Sequence, residues 1–168
     1  PAAMNGIVGL KPTIGLVSRT HVVPISHSQD TAGPMTRDVR TAARLLNALA
    51  GSDPADVATK EADARKTDYT AALNPKALNG ARIGVLRWAT GWHAGVDARF
   101  EAALAVLKAQ GATLVDITTP PNRRDISANE FIVLLTELKA DLAAYLATTP
   151  ATVKSRTLTD VIAFNKAN

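Results

Sequence analysis

Three features of these 168 residues predict an α/β fold. Arg82–Leu86 and Thr113–Ile117 are short apolar runs separated by a helical pattern, and strand, helix, strand within about forty residues is the length of a parallel crossover unit. Apolar residues also recur at helical spacing from Arg37 to Ala50 and from Ser127 to Leu146. The composition, 46% hydrophobic and 20% charged, is that of a globular chain and leaves no room for a disordered or fibrous reading.

The elements follow in order. Ile7–Leu10, Leu16–Val17 and Val22–Ile25 are apolar runs bounded by Gly and Pro, which predicts buried strands or extended segments. From Arg37 a helix is expected, with Val39, Ala42, Ala43, Leu46, Leu49 and Ala50 on one face. Thr36 is placed to cap it, Asp38 sits in its first turn, and Gly51 stops it. Residues 51–80 carry Asp53-Pro54, Asn74-Pro75 and the run KEADARK, and read as a polar surface connection with one short helix near Tyr69–Leu73. Arg82–Leu86 is a strand, and a helix from Val96 to Gln110 follows with Val96, Phe100, Ala103, Leu104 and Leu107 on one side. Gly111 ends that helix, Thr113–Ile117 is the second strand, and Pro120-Pro121 closes the unit. The helix over Ser127–Leu146 aligns Phe131, Ile132, Leu135, Leu138, Leu142 and Tyr145, and leaves Glu137, Lys139 and Asp141 partly toward solvent. Thr157 and Asp160 have capping-box spacing and open a last helix.

Composition also excludes several kinds of function. Nineteen Lys and Arg against fifteen Asp and Glu give +4, but they are scattered, so no nucleic-acid partner is expected. No run approaches the eighteen or so apolar residues of a membrane helix, and no membrane partner is expected. The absence of cysteine removes disulfides, thiolate catalysis and cysteine-based zinc sites. The run PAAMNGIVGLKPTIGLV opens on proline without an initiator methionine and is almost wholly apolar, Gly or Pro. It reads as an internal piece of a longer chain and not as a signal peptide, since it has neither a charged n-region nor an uninterrupted apolar one. The compartment stays open, with the cytoplasm as the default.

Residue by residue, the candidate chemistry is thin. Ser26-His27-Ser28-Gln29-Asp30 holds the residue types of a hydrolytic triad, but triad members converge from separate segments, so a hydrogen-bonded loop is the better reading. His21 and His93 read as surface or core-edge histidines, and no metal or cofactor is expected. Lys11, beside Pro12, could act as a base if desolvated, but reads as a snorkelling or capping lysine. Gly6-Ile-Val-Gly9 lacks phosphate-loop spacing and reads as tight glycine packing. Glu130, Glu137 and Asp141 read as a solvated helix face and not as an acid/base pair.

A resemblance adds what the residues alone do not. Pro1–Arg19 resembles the segment that the amidase signature family places directly after its Gly/Ser-rich nucleophile loop. Pro24–Arg37 is similar to its Asp-x-x-Gly-Pro block, and Gly51-Ser-Asp-Pro-Ala-Asp56 to the acidic turn after the following helix. Asn79–Leu86, Thr136–Leu142 and Leu158–Asn165 also look like family segments. The resemblance implies a mixed β-sheet sandwiched between α-helices, with residues 1–168 an internal portion of one domain. It implies hydrolysis of a carboxylic amide by a serine nucleophile, a second serine on a cis peptide and a lysine, all upstream of Pro1, so none of the 168 residues is assigned a catalytic role. Lys11, Ser26 and Ser28 are then not the catalytic lysine or serines, and the segment itself is expected to be inactive. Gly6 and Gly9 would let the backbone pack beneath the nucleophile loop, and Asp30 with Gly33-Pro34 would shape the turn into the Arg37 helix. Thr41 departs from the aspartate frequent in that helix. His27-Ser-Gln-Asp-Thr31 looks more like stand-alone amidases, peptide amidases among them, than like the related component of the glutamyl-tRNA amidotransferase. The implied partners are a small-molecule or peptide amide substrate and the remainder of the same chain. A non-catalytic scaffold that keeps the family's core, and a protein like that glutamyl-tRNA amidotransferase component, are the alternatives.

Overall fold

The computed structural model describes the backbone of residues 1–168 and the side chains of all but Arg123 and Asp125. Its elements are β1 (Val8–Gly9), β2 (Met35–Thr36), α1 (Val39–Leu49), α2 (Ala62–Arg65), β3 (Arg82–Leu86), α3 (Ala94–Ala109), β4 (Thr113–Ile117), α4 (Arg123–Ala147) and α5 (Leu158–Ala167). They fall into two compact units, one of Pro1–Ala72 with Ala128–Asn168 and one of Leu73–Ser127. Helices and both kinds of strand pair are present: β1 and β2 are antiparallel, and β3 and β4 are parallel.

The second unit is the crossover predicted from its sequence. β3 and β4 run parallel in register from Arg82 opposite Thr113 to Leu86 opposite Ile117. A parallel pair cannot be joined by a tight turn, and α3 supplies the connection. Val85, Leu104 and Ala112 are its buried apolar residues. The helix begins two residues before the apolar pattern predicts, because the His93 ring Nδ1 accepts the free N–H of Gly95 at 3.2 Å. Gly111 ends it at φ +92, where a Cβ would also lie 3.1 Å from the Asn79 backbone.

In the first unit the apolar face of α1 makes the core. Ala42, Ala43 and Leu46 of the helix are buried, together with Ala50, Val17 and Ala62. Val39 and Leu49, assigned to that face by spacing, are exposed at the helix ends. The cap is Asp38 and not Thr36: the Asp38 carboxylate accepts the Thr41 N–H at 2.8 Å and the Thr41 hydroxyl at 2.8 Å. A carboxylate at this end is favoured by the helix dipole, and Thr36 instead donates to the Asp38 carbonyl. The Thr41 hydroxyl thus bonds the cap as well.

Other expectations are corrected. Only Val8–Gly9 of the early apolar runs forms a strand, and Val17 makes a single bridge to Ala50. Val22–Ile25 is neither a strand nor buried: the side chains of Val22, Val23 and Ile25 are exposed. In the 51–80 connection a 3-10 helix forms at Val57–Thr59 and a short α-helix at Ala62–Arg65, and Tyr69–Ala72 forms turns. Nor is that connection wholly superficial, since Asp56, Thr59 and Ala62 are buried. α4 starts four residues before Ser127. Phe131, Ile132 and Leu135 are exposed, while Leu138, Leu142 and Tyr145 are half-buried, so the predicted apolar stripe is covered only over its C-terminal half. Thr157 and Asp160 form the expected capping box, each side chain accepting the other's backbone N–H.

Candidate functional site

Two side-chain clusters organise the first unit, and both are built on Arg19–Asp30. The first joins this segment to the acidic turn at 53–56. Arg19 donates from its backbone N–H and Nε to Asp56 Oδ2, at 2.9 and 3.0 Å, and from Nη2 to Asp56 Oδ1 at 2.9 Å. Its remaining Nη1 donates to the His27 carbonyl. Every nitrogen of the planar fork is thereby engaged, which is what arginine offers over lysine at a buried carboxylate. Arg19 in turn holds the Asp56 carboxyl at about 2, well below the usual carboxylate range. Next to it, Ser18 donates to Asp53 Oδ2 at 2.6 Å and Thr20 donates to the same oxygen, and these bonds also hold Asp53 low.

The second cluster joins residues 26–28 to α4. Glu137 and Asp141 are one helical turn apart and so project from the same side of the helix. Ser26, fully buried, donates its hydroxyl to Glu137 Oε2, which also accepts the Ser28 N–H at 3.1 Å and the Ser28 hydroxyl at 2.9 Å. The Ser26 bond above all lowers the Glu137 carboxyl below its ordinary value. Asp141 Oδ2 accepts the His27 N–H at 3.0 Å and faces the His27 ring Nδ1 at 2.9 Å, while ring Nε2 lies 3.5 Å from Glu137 Oε1. Glu137 and Asp141 are therefore not the solvated face that spacing suggests. Their side chains are 15% and 20% exposed, because a loop about 110 positions earlier in the chain packs its donors over them. Glu130 alone of the three acids stays on the exposed side.

This geometry is not a hydrolytic triad. A serine that attacks must give its proton to the imidazole. Here both serine hydroxyls donate to a carboxylate, which stands between them and His27 Nε2. The loop shape is set by Asp30, whose Oδ2 accepts the N–H groups of Ile25 and Ser26 at 2.8 and 2.9 Å. Asp30 thus closes its own loop and does not shape the turn into α1. That turn depends on Gly33, where a Cβ would overlap the Leu10 carbonyl oxygen. Gly9 likewise permits a close approach, to Ala2, whereas around Gly6 a Cβ would meet nothing and the requirement is its φ of +62. A cleft of about 480 Å³ opens beside the two clusters, lined by Arg19, His27, Asp30, Asp141, Tyr145 and Thr148 among others.

The remaining candidates lie outside both clusters. The exposed Lys11 donates its ammonium to the neighbouring Pro12 carbonyl at 3.2 Å. His93 caps α3, and Asp97, one turn on, accepts the Gly91 N–H. His21 lines the cleft at φ +68, closing a turn in which Val22 N–H reaches the Arg19 carbonyl.

Comparison with known proteins places these features in one family. The amidase family model matches residues 1–167. The chain belongs to the amidase family. The native peptide amidase of Stenotrophomonas maltophilia superposes with a TM-score of 0.87 at 47% identity, over 99% of this chain and 34% of that one. A probable amidase of Arabidopsis thaliana is 39% identical over 99% of this chain and 32% of its own length. A glutamyl-tRNA(Gln) amidotransferase subunit from an Anaeromyxobacter strain is 42% identical over 86% of this chain and 29% of its own. The chain spans about a third of the length of the relatives it matches. As an amidase-family segment it has the α/β architecture of the amidase signature fold. The two clusters tie together the end of the Pro1–Arg19 block and the blocks at Pro24–Arg37, Gly51–Asp56 and Thr136–Leu142.

Proposed function

We propose that these residues belong to an amidase that hydrolyses a carboxylic amide C–N bond, and that they form scaffold and pocket wall behind a nucleophile supplied from upstream of Pro1. The likeness to the peptide amidase, 47% identical over 99% of the chain, carries this reading. The chemistry implied is attack by a serine whose proton leaves through a second serine to a neutral lysine, with backbone N–H groups holding the oxyanion. The hydrogen bonding here is consistent with a scaffold role: Ser26 and Ser28 are committed to Glu137, and Lys11 to a backbone carbonyl. In this reading residues 1–168 are an internal portion of one domain, and the remainder of that chain is their main partner. The substrate class is a small-molecule or peptide amide.

Ammonia release from a panel of simple carboxamides and C-terminally amidated peptides by the whole protein tests the proposal. Serine-dependent turnover of at least one is expected, and an inert protein that still folds favours the non-catalytic scaffold. A second reading is favoured by the relative 42% identical over 86% of the chain, which is one subunit of an amidotransferase. Copurification of partner subunits with the whole protein would support that reading, and a free amidase active by itself would reject it.

A further inference from the structure

We propose that His27 Nε2 and Glu137 Oε1 hold a first-row divalent cation of zinc's class, with Asp141 fixing the histidine ring from behind. Such a cation plays no part in the amide chemistry and adds a metal site to a segment that the proposed mechanism uses as scaffold.

The position of the ring hydrogen decides what Nε2 can do. Asp141 Oδ2 lies 2.9 Å from His27 Nδ1, and a carboxylate only accepts, so Nδ1 carries hydrogen. When the ring is neutral Nε2 presents a lone pair toward Glu137 Oε1, another acceptor, at 3.5 Å, and when it is protonated the same two atoms form an ion pair. A metal cation between them takes the place of that proton and is bound by both atoms. The separation of 3.5 Å is longer than the roughly 2.7–3.2 Å of an N–H···O hydrogen bond and lies within the range of an ion pair. It matches the edge, about 3.4 Å, of a tetrahedron whose ligands stand about 2.1 Å from a central zinc.

The surroundings are those of a supported metal ligand pair. Glu137 Oε2 is taken up by Ser26 and by two donors of Ser28, which fixes the carboxylate plane and leaves Oε1 toward the ring. Asp141 Oδ2 is anchored by the His27 N–H as well as by the ring. Carboxylate, histidine and metal in a line is the arrangement by which proteins set the ring tautomer and strengthen the ligand nitrogen. One donor atom from each of His27, Glu137 and Asp141 lies within 4.8 Å of the other two. The ring is 65% exposed, so water can complete the coordination shell. One imidazole with carboxylate oxygen suits zinc, cobalt or nickel better than magnesium or calcium, which take oxygen alone. Bound there, the cation would pin the 26–28 loop to α4 and stabilise the folded protein by mass action.

Zinc titration of the chelator-treated whole protein by calorimetry, with diffraction at the zinc edge on soaked crystals, tests the site. One saturable equivalent is expected, with an anomalous peak between His27 Nε2 and Glu137 Oε1. His27→Ala should abolish that equivalent, and Asp141→Asn should weaken it roughly 10- to 100-fold while leaving the ligands in place. No saturable binding, unchanged binding by His27→Ala, or an anomalous peak at His21 or His93 instead would overturn the proposal. If His27→Ala fails to fold, the anomalous peak of the unmodified protein decides alone.

Discussion

Asp56 accepts three hydrogen bonds from Arg19, thirty-seven positions earlier, and the two side chains are only 9% and 16% exposed. The pair fastens the segment that carries His27 to the turn that follows α1. Asp56→Ala leaves the guanidinium half-buried without its counter-charge, and loss of one partner of such a pair is expensive. We expect a loss of about 2–4 kcal/mol in urea unfolding of the protein, whereas Asp63→Ala, at an exposed ion pair, should change it far less.

The same pair sets an acid limit. The folded Asp56 carboxyl, at about 2, lies below its ordinary value of 3.8, so the unfolded chain binds that proton more readily. Its contribution is present in full above about pH 4 and is lost as pH falls from about 4 toward 2. Stability measured over this window should decline in the native protein and decline less steeply in Asp56→Asn. Parallel curves for the two would show that the pair does not carry the acid sensitivity.

Ser26 and Glu137 should be coupled. Ser26→Ala removes one donor but leaves Glu137 Oε2 with Ser28, for a cost of about 1 kcal/mol. Glu137→Ala leaves the fully buried Ser26 hydroxyl with only the 3.4 Å contact to the Ser28 hydroxyl and frees both Ser28 donors, for about 2 kcal/mol. In a double-mutant cycle the two should be non-additive by at least about 0.5 kcal/mol, and strict additivity would mean the contact contributes nothing.

Gly33→Ala drives a methyl group into the Leu10 carbonyl oxygen, a backbone atom with no rotamer by which to move aside. The chain must separate the Leu10 and Gly33 segments, which should lower stability by about 1–3 kcal/mol. Gly6→Ala tests the contrast, since it meets no atoms and costs only the strain of its positive φ, about 1 kcal/mol. Equal melting temperatures for the two variants would remove the distinction.

How much of this is legible in the sequence depends on the range of the forces involved. The β3–α3–β4 unit can be read with its strand limits because its information is local: apolar runs of strand length, a helical pattern between them, and Gly111 where the helix must end. The Thr157–Asp160 box is local for the same reason. α1 is equally plain, but its cap falls to Asp38 and not Thr36, since spacing cannot show which of two neighbouring side chains reaches the free N–H groups. The clusters are not legible in the periodicity. Glu137 and Asp141 have the spacing of a solvated face, and only the packing of Ser26–Ser28 against them turns that face inward. Arg19–Asp56 can be suspected from the resemblance, because both ends lie in family blocks, but no periodicity connects them. The family itself is readable through three short blocks in order, which need no element to be placed first.

Hydrolysis of an amidated peptide by two chains side by side tests the central claim most directly: residues 1–168 alone, and the same residues with the preceding part of the protein. With a serine-reactive fluorophosphonate as a second readout, the longer chain should turn over substrate and be labelled, and residues 1–168 should do neither. Turnover or labelling of the 168-residue chain, lost on replacing Ser26 or Ser28, would place the nucleophile within these residues and contradict the account.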